Sequence, residues 1–125
     1  MFEKIVNEIK QLTTITVTWR ADFDELMSVL KIFFDDNHTE NLLLDLRESP
    51  LDSITHDHIR NLCEYAKYRA NGERRVNGKT ALVGSSDLQF EVGVIFKKYS
   101  EMIDSAIKFS VFRSIEQALS WLEED

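Results

Sequence analysis

The side chains best suited to chemistry fall in three short runs, each just after an apolar stretch. Asp45 and Arg47 follow Leu42–Leu44; Ser85, Ser86 and Asp87 follow Thr80–Gly84; Arg113 and Ser114 follow Ile107–Val111. If the apolar stretches are parallel strands, these polar residues sit at their carboxyl ends, where ligands of open α/β sheets bind. A carboxylate, guanidinium groups and hydroxyls gathered there would suit a small anion. Helices beginning at the same rim would add backbone N–H groups and positive dipole ends. Asp45, Arg47, Ser85, Ser86 and Arg113 are therefore the candidate ligand-binding set. The plainer reading of the same residues is structural. Ser86, Asp87 and Ser114 are helix-capping types, and Asp45 with Arg47 makes a ready ion pair.

Other reactive residue types point away from catalysis. His56 and His58 flank Asp57, but side chains two apart on a helix diverge and do not share an ion. They read as solvated or capping histidines. Cys63, the only cysteine, falls on an apolar stripe beside Leu62 and Ala66, where a thiol acts as a small hydrophobe rather than a nucleophile. No Gly-x-Ser-x-Gly elbow is present. No catalytic residue, metal ligand or cofactor is assigned. Lys67, Arg69, Arg74, Arg75 and Lys79 cluster around the Gly72–Gly78 segment. That cluster fits either a solvated turn or a docking point for phosphate, an acidic partner or an anionic surface.

The elements that must position these residues follow from periodicity. Residues 12–19 alternate threonine with larger apolar residues, which predicts a strand with Ile15, Val17 and Trp19 inward. Residues 3–9, with Ile5 and Ile9, make a weaker antiparallel edge partner. Phe23, Leu26, Met27, Leu30, Phe33 and Phe34 recur at helical steps, started by Asp22 with Glu25 and stopped near Asn37. Leu42–Leu46 is nearly continuous in apolar residues and reads as a central strand covered on both faces. A second helix spans about Thr55–Asn71, burying Ile59, Leu62, Cys63, Ala66 and Ala70, with Gly72 at its C′ position. Thr80–Gly84 is a further buried strand. Ser86 with Gln89 caps a third helix ending near Met102 or Ile103. Ile107, Phe109 and Val111 alternate in a strand nearer the edge. Ser114 with Gln117 caps a last helix that turns Ile115, Ala118, Leu119 and Leu122 inward.

This alternation of strands and helices predicts one α/β domain over residues 1–125, with a mixed, mainly parallel sheet of four or five strands and about four helices. The net charge of −7, from 22 acidic against 15 basic residues, opposes binding to nucleic acid or anionic lipid. A single cysteine excludes an intramolecular disulfide. Neither a signal peptide nor a transmembrane stretch is visible, so the expected location is the cytoplasm.

Several phrases carry a family likeness. Asp45-Leu46-Arg47 leaves one strand, Lys79-Thr80-Ala81-Leu82-Val83 forms another, and Phe112-Arg113 leads into a helix with Ala118-Leu119-Ser120-Trp121-Leu122. Over nearly the whole chain this resembles the SpoIIAA-like family, relatives of the STAS domains of anti-sigma-factor antagonists and sulfate transporters. The resemblance implies a βα superhelix and a non-enzymatic switch or docking module. It also implies regulation by phosphorylation where the second helix begins, at an Asp-Ser-(Ser or Thr)-Gly motif. Here that segment reads Leu51-Asp52-Ser53-Ile54-Thr55, with Ile54 at the usual acceptor position and Thr55 in place of glycine, so Ser53 and Thr55 are the candidate phosphorylation sites. The shape is shared with lipid-binding CRAL-TRIO domains, which keeps a hydrophobic ligand as an alternative.

The third helix adds a clue independent of the family. Phe90, Val92, Val94, Ile95, Phe96, Tyr99, Met102 and Ile103 cover more of its circumference than a one-sided stripe needs. Phe90, Val94, Phe96 and Tyr99 are therefore candidates for an interface or a pocket. The expected function is a STAS-like regulatory or protein-interaction module that binds a partner protein or itself. The alternative is a carrier of a small apolar or anionic ligand near the carboxyl ends of the strands.

Overall fold

The computed structural model describes residues 2–36, 39–72 and 78–124. Within them the chain forms β1 (Phe2–Asn7), β2 (Leu12–Thr18), α1 (Phe23–Asp36), β3 (Asn41–Glu48), α2 (His56–Gly72), β4 (Lys79–Val83), α3 (Asp87–Met102), β5 (Lys108–Phe112) and α4 (Ile115–Glu123). The strands make one sheet in sequence order, β1-β2-β3-β4-β5. β1 and β2 are an antiparallel hairpin, and every later neighbour is parallel. The expected α/β fold with a mixed, mainly parallel sheet is present.

Sequential strand order has a consequence for the layers. Right-handed crossovers that always advance in one direction deliver their helices to one face. α1, α2 and α3 accordingly share a core with Ile15, Val17, Leu42, Leu44, Leu46, Leu82 and Phe109. Helix α4 follows the last strand and closes the opposite face over Leu43, Ala81 and Val83, to which it adds Ala118 and Leu122. Alternate residues of β3 and β4 thus point into different cores, which is why both strands are apolar without a break. α4 packs on β3, β4 and β5. Ile5 on β1 remains 69% exposed.

At the amino ends of the parallel strands, Asn41 ties three elements together. Its Oδ1 accepts from Lys79 N (3.0 Å), its Nδ2 donates to Leu122 O (3.5 Å), and its backbone N donates to Gln11 O (3.0 Å). Beside it, Thr39 Oγ1 donates to Asn41 O (2.8 Å). The Thr39 hydroxyl has one proton, so the 2.6 Å contact with Thr13 Oγ1 is a donation from Thr13.

Part of the broad apolar surface of α3 has a packing explanation, while Met102 stays 75% exposed. This helix lies between α2 on one flank and β5 on the other. Val92 and Phe96 are buried in the main core, with Ile95, Tyr99 and Ile103 packed against it. Closest approach occurs at Gly93, where a Cβ would stand 2.3 Å from Val111 Cγ2. Absence of a side chain there sets the distance between helix and strand.

Some sequence expectations need correction. Trp19 does not point inward: it is 80% exposed, because the chain leaves β2 at Thr18 and turns through a left-handed residue (Trp19, φ 68°). Strand alternation stops with the strand, so position 19 no longer shares a face with Ile15 and Val17. Ile9 belongs to the hairpin turn rather than to β1 and is 97% exposed. Gly72 lies within α2 rather than after it. The expected stop at Asn37 lies outside the described residues, as do Arg74 and Arg75 of the basic cluster.

Gly93→Ala should lower stability by about 1–3 kcal/mol, since overpacking at Val111 outweighs the gain in helix propensity. Urea unfolding followed by circular dichroism measures it. An unchanged or raised midpoint would mean that α3 can retreat from β5 without cost.

Candidate functional site at the carboxyl rim

Each polar run identified in the sequence reaches the same rim, because β3, β4 and β5 are parallel. The rim is organised by Gln89, in the first turn of α3. Its Nε2 donates to Arg47 O (3.2 Å), near the end of β3, and to Ser49 O (2.7 Å), just after it. Its Oε1 accepts from Ser85 N (2.9 Å) and Ser86 N (3.1 Å), between β4 and α3. Ser86 Oγ accepts from Gln89 N (3.1 Å), completing a capping box. Two donors and two acceptor positions are all that a side-chain amide has, and all are used. Gly84 makes the room: a Cβ there would meet Gln89 Cβ at 2.6 Å.

Asp45 and Arg47 form a two-pronged pair on this frame. Arg47 Nε donates to Asp45 Oδ1 (2.9 Å) and Arg47 Nη2 to Asp45 Oδ2 (3.0 Å), with Arg47 N also donating to Oδ1 (3.1 Å). Asp45 is buried, and its hydrogen bond, ahead of any other effect, raises the guanidinium pKa above its ordinary value. Arg113 forms a second cluster. Its Nη1 donates to Ser85 O (3.1 Å) and pairs with Asp87 Oδ1 (3.1 Å), while the guanidinium lies 4.4 Å from the Phe90 ring centre. Ser114 Oγ accepts from Gln117 N (3.3 Å) and caps α4. The five candidate residues therefore occupy the predicted rim as two clusters, bridged by Gln89, with both arginines engaged by carboxylates.

A further part of the rim lies after β2 and was not anticipated. Ala21 N donates to the buried Ser49 Oγ (3.1 Å), which binds the exit of β2 to that of β3. Arg20 Nη1 lies 3.9 Å from Asp52 Oδ2. Of four non-glycine residues at positive φ among those described, Trp19 and Leu51 belong to these two loops. Leu51 is buried, whereas Trp19 presents its indole to solvent. Left-handed backbone at a bulky residue persists only where surrounding structure enforces it. Alternation of threonine with apolar residues hid this, because Trp19 continues the pattern in sequence after the strand has ended.

The candidate phosphorylation sites differ in their surroundings. Ser53 is exposed in the turn before α2. Thr55 Oγ1 accepts from His58 N (3.1 Å), and His58 Nδ1 accepts from Thr55 N (3.1 Å), so both residues cap α2. His58 also stacks on Phe23, with ring centres 4.8 Å apart. Within the basic cluster, Lys67 donates to Ile103 O, and Arg69 pairs with Asp35 (2.7 Å) beside the Phe34 ring. Lys79 Nζ donates to Trp121 O (3.0 Å) and Glu124 O (2.6 Å).

On α3, Phe90 is half-buried under Arg113, Val94 and Tyr99 are half-buried, and Phe96 is buried against Phe109 (6.3 Å between ring centres). Phe96 lines an interior apolar cavity of about 20 Å³, with Leu26, Leu62 and Leu82 among its walls. That space is about the size of one water. Cys63 Sγ donates to Phe96 O (3.5 Å), and burial pushes its thiol pKa from the ordinary 9.0 up to about 12, with the charge of Glu64 adding to the effect.

Gln89→Leu should cost about 1–3 kcal/mol, because it strands the buried Ser49 O on one side of the rim and the part-buried N–H groups of Ser85 and Ser86 on the other. A loss below that of an ordinary surface substitution would show that water replaces the amide. For Cys63, the folded pKa lies above the unfolded one, so the protonated thiol favours the fold. Its contribution is complete below pH 9.0 and is lost as pH rises toward about 12. The stability difference between wild type and Cys63→Ala should therefore shrink across that window. A difference independent of pH would mean that the thiol titrates normally.

Among the described residues, no group of three or more His, Cys, Asp or Glu side chains is placed to hold a metal, and no helix is long and apolar enough to cross a membrane. In comparison with known proteins, no family model and no curated protein matches the chain.

Proposed function

We propose that this chain is a non-enzymatic, STAS-like interaction module that docks a partner protein at its carboxyl rim. The observation that carries this reading is Trp19, exposed and turned outward by a left-handed backbone on a rim braced by Ser49 and Gln89. An indole in solvent offers a large contact area, and tryptophan and arginine dominate the energetics of protein interfaces. Arg20 follows directly, weakly held by the exposed Asp52 and so able to exchange partners. The family resemblance supports the same region, since Ser53 stands next to Asp52. A phosphate on Ser53 would compete for Arg20 and alter the charge of the docking surface.

Carriage of a small anionic or apolar ligand has less support. Arg47 and Arg113 already hold carboxylates, and the cavity lined by Phe96 has room for about one water.

Trp19→Ser and Arg20→Glu variants test the docking surface. Affinity capture of the tagged chain from its own cells, after cross-linking, should recover partners with the wild type and with a Met102→Ser control. Recovery should drop about tenfold or more with either rim variant, while circular dichroism stays unchanged. Equal recovery by all four proteins, or no cross-linked partner at all, rejects the proposal.

A further inference from the structure

The hairpin edge of the sheet is a second surface, distinct from the rim. Among the described residues β1 pairs with β2 alone, so the outer side of its backbone has no strand beside it. Open edges are ordinarily guarded by charge, proline or a covering element, because their N–H and C=O groups template another strand. Here the guard on β1 itself is two charges, Lys4 and the exposed Glu3. Lys4, the one cation on β1, is drawn onto the α1 face by Asp36 Oδ2 (2.5 Å). Ile5, Val6 and Ile9 are exposed aliphatic residues on this strand and its turn. The face that α4 leaves open also continues to this edge, where Ile5, Leu12 and Thr14 border a groove with Leu119 and Leu122.

We propose that the β1 edge is a homodimer surface, on which β1 of a second copy adds antiparallel to form a continuous sheet. The register follows from symmetry and charge. A two-fold axis perpendicular to the sheet sets opposite one another residues that point to the same face. Two registers use most of β1. One, centred on Lys4, sets Lys4 against the partner's Lys4, and like charges directly opposed are destabilising. The other, centred on Ile5, sets Ile5 against the partner's Ile5, Lys4 against the partner's Val6 and Glu3 against the partner's Asn7, with no like charges opposed. In the second register the two Ile5 side chains extend the apolar part of this groove, at Leu12, Leu119 and Leu122, from one subunit into the next.

Sedimentation of the full chain over a range of concentrations tests the dimer, and an engineered thiol tests the register. Wild type is expected to dimerise. Ile5→Lys puts like charges on the axis and should weaken the dimer about tenfold or more, while Met102→Lys, equally exposed but on α3, leaves it intact. Directly opposed residues of an antiparallel pair lie about 4.5–5.5 Å apart at Cα, within reach of a disulfide. Ile5→Cys should therefore oxidise to a covalent dimer and Lys4→Cys should not; the native Cys63 is buried and does not interfere. A chain monomeric up to about 1 mM overturns the proposal. So does a dimer broken by Met102→Lys or Trp19→Ser but not by Ile5→Lys, or one cross-linked through position 4 and not through position 5. Failure of the rim to capture a partner leaves these outcomes unaffected, so the two proposals fail separately.

Discussion

The carboxyl rim depends on one side-chain amide. Gln89 joins the end of β3 to the turn between β4 and α3 by four hydrogen bonds, and caps its own helix with Ser86. Buried backbone groups at strand exits need partners, and a loop leaving a parallel strand has no neighbouring strand to supply them. One buried amide answers that need on both sides at once. Gly84 is a consequence of the same constraint, since any Cβ there would occupy the place of Gln89.

With the strand exits fixed, the remaining rim groups fall into set positions. Asp45 holds Arg47 through two prongs, and Arg113 spans Ser85, Asp87 and Phe90. Both guanidinium groups are thereby engaged within the chain. Trp19 stands apart from these groups, because backbone conformation rather than packing directs it into solvent. The two surfaces proposed for contact lie on different parts of the sheet, one at strand exits and one along an edge. A partner and a second copy could therefore be held together.

The opposite end of the sheet shows the same economy. Asn41 links β2, β4 and α4, and the hydroxyls of Thr13 and Thr39 form a directed chain beside it. Between these two polar seams the interior is apolar, with α3 brought against β5 by Gly93. Part of the apolar circumference of α3, at Val92, Ile95, Phe96 and Tyr99, reflects its position between α2 and β5, a matter of tertiary neighbours that helical periodicity does not encode.

Local pattern was enough to determine the elements, their order and the two-sided burial of β3 and β4, because period and capping are properties of adjacent residues. The Ser86–Gln89 and Ser114–Gln117 caps were legible for that reason, as was the gathering of Asp45, Ser85 and Arg113 at one end of parallel strands. Tertiary structure alone decided what those residues bind. The carbonyl partners of Gln89 are 40 and 42 residues away in the chain, and no spacing rule connects them. Trp19 was hidden for the converse reason: its sequence pattern is that of a strand, while the exit of β2 beside Ser49 turns it outward. Sequence set which faces are apolar; only the meeting of distant backbone groups settled which polar residues brace the rim and that Trp19 faces solvent.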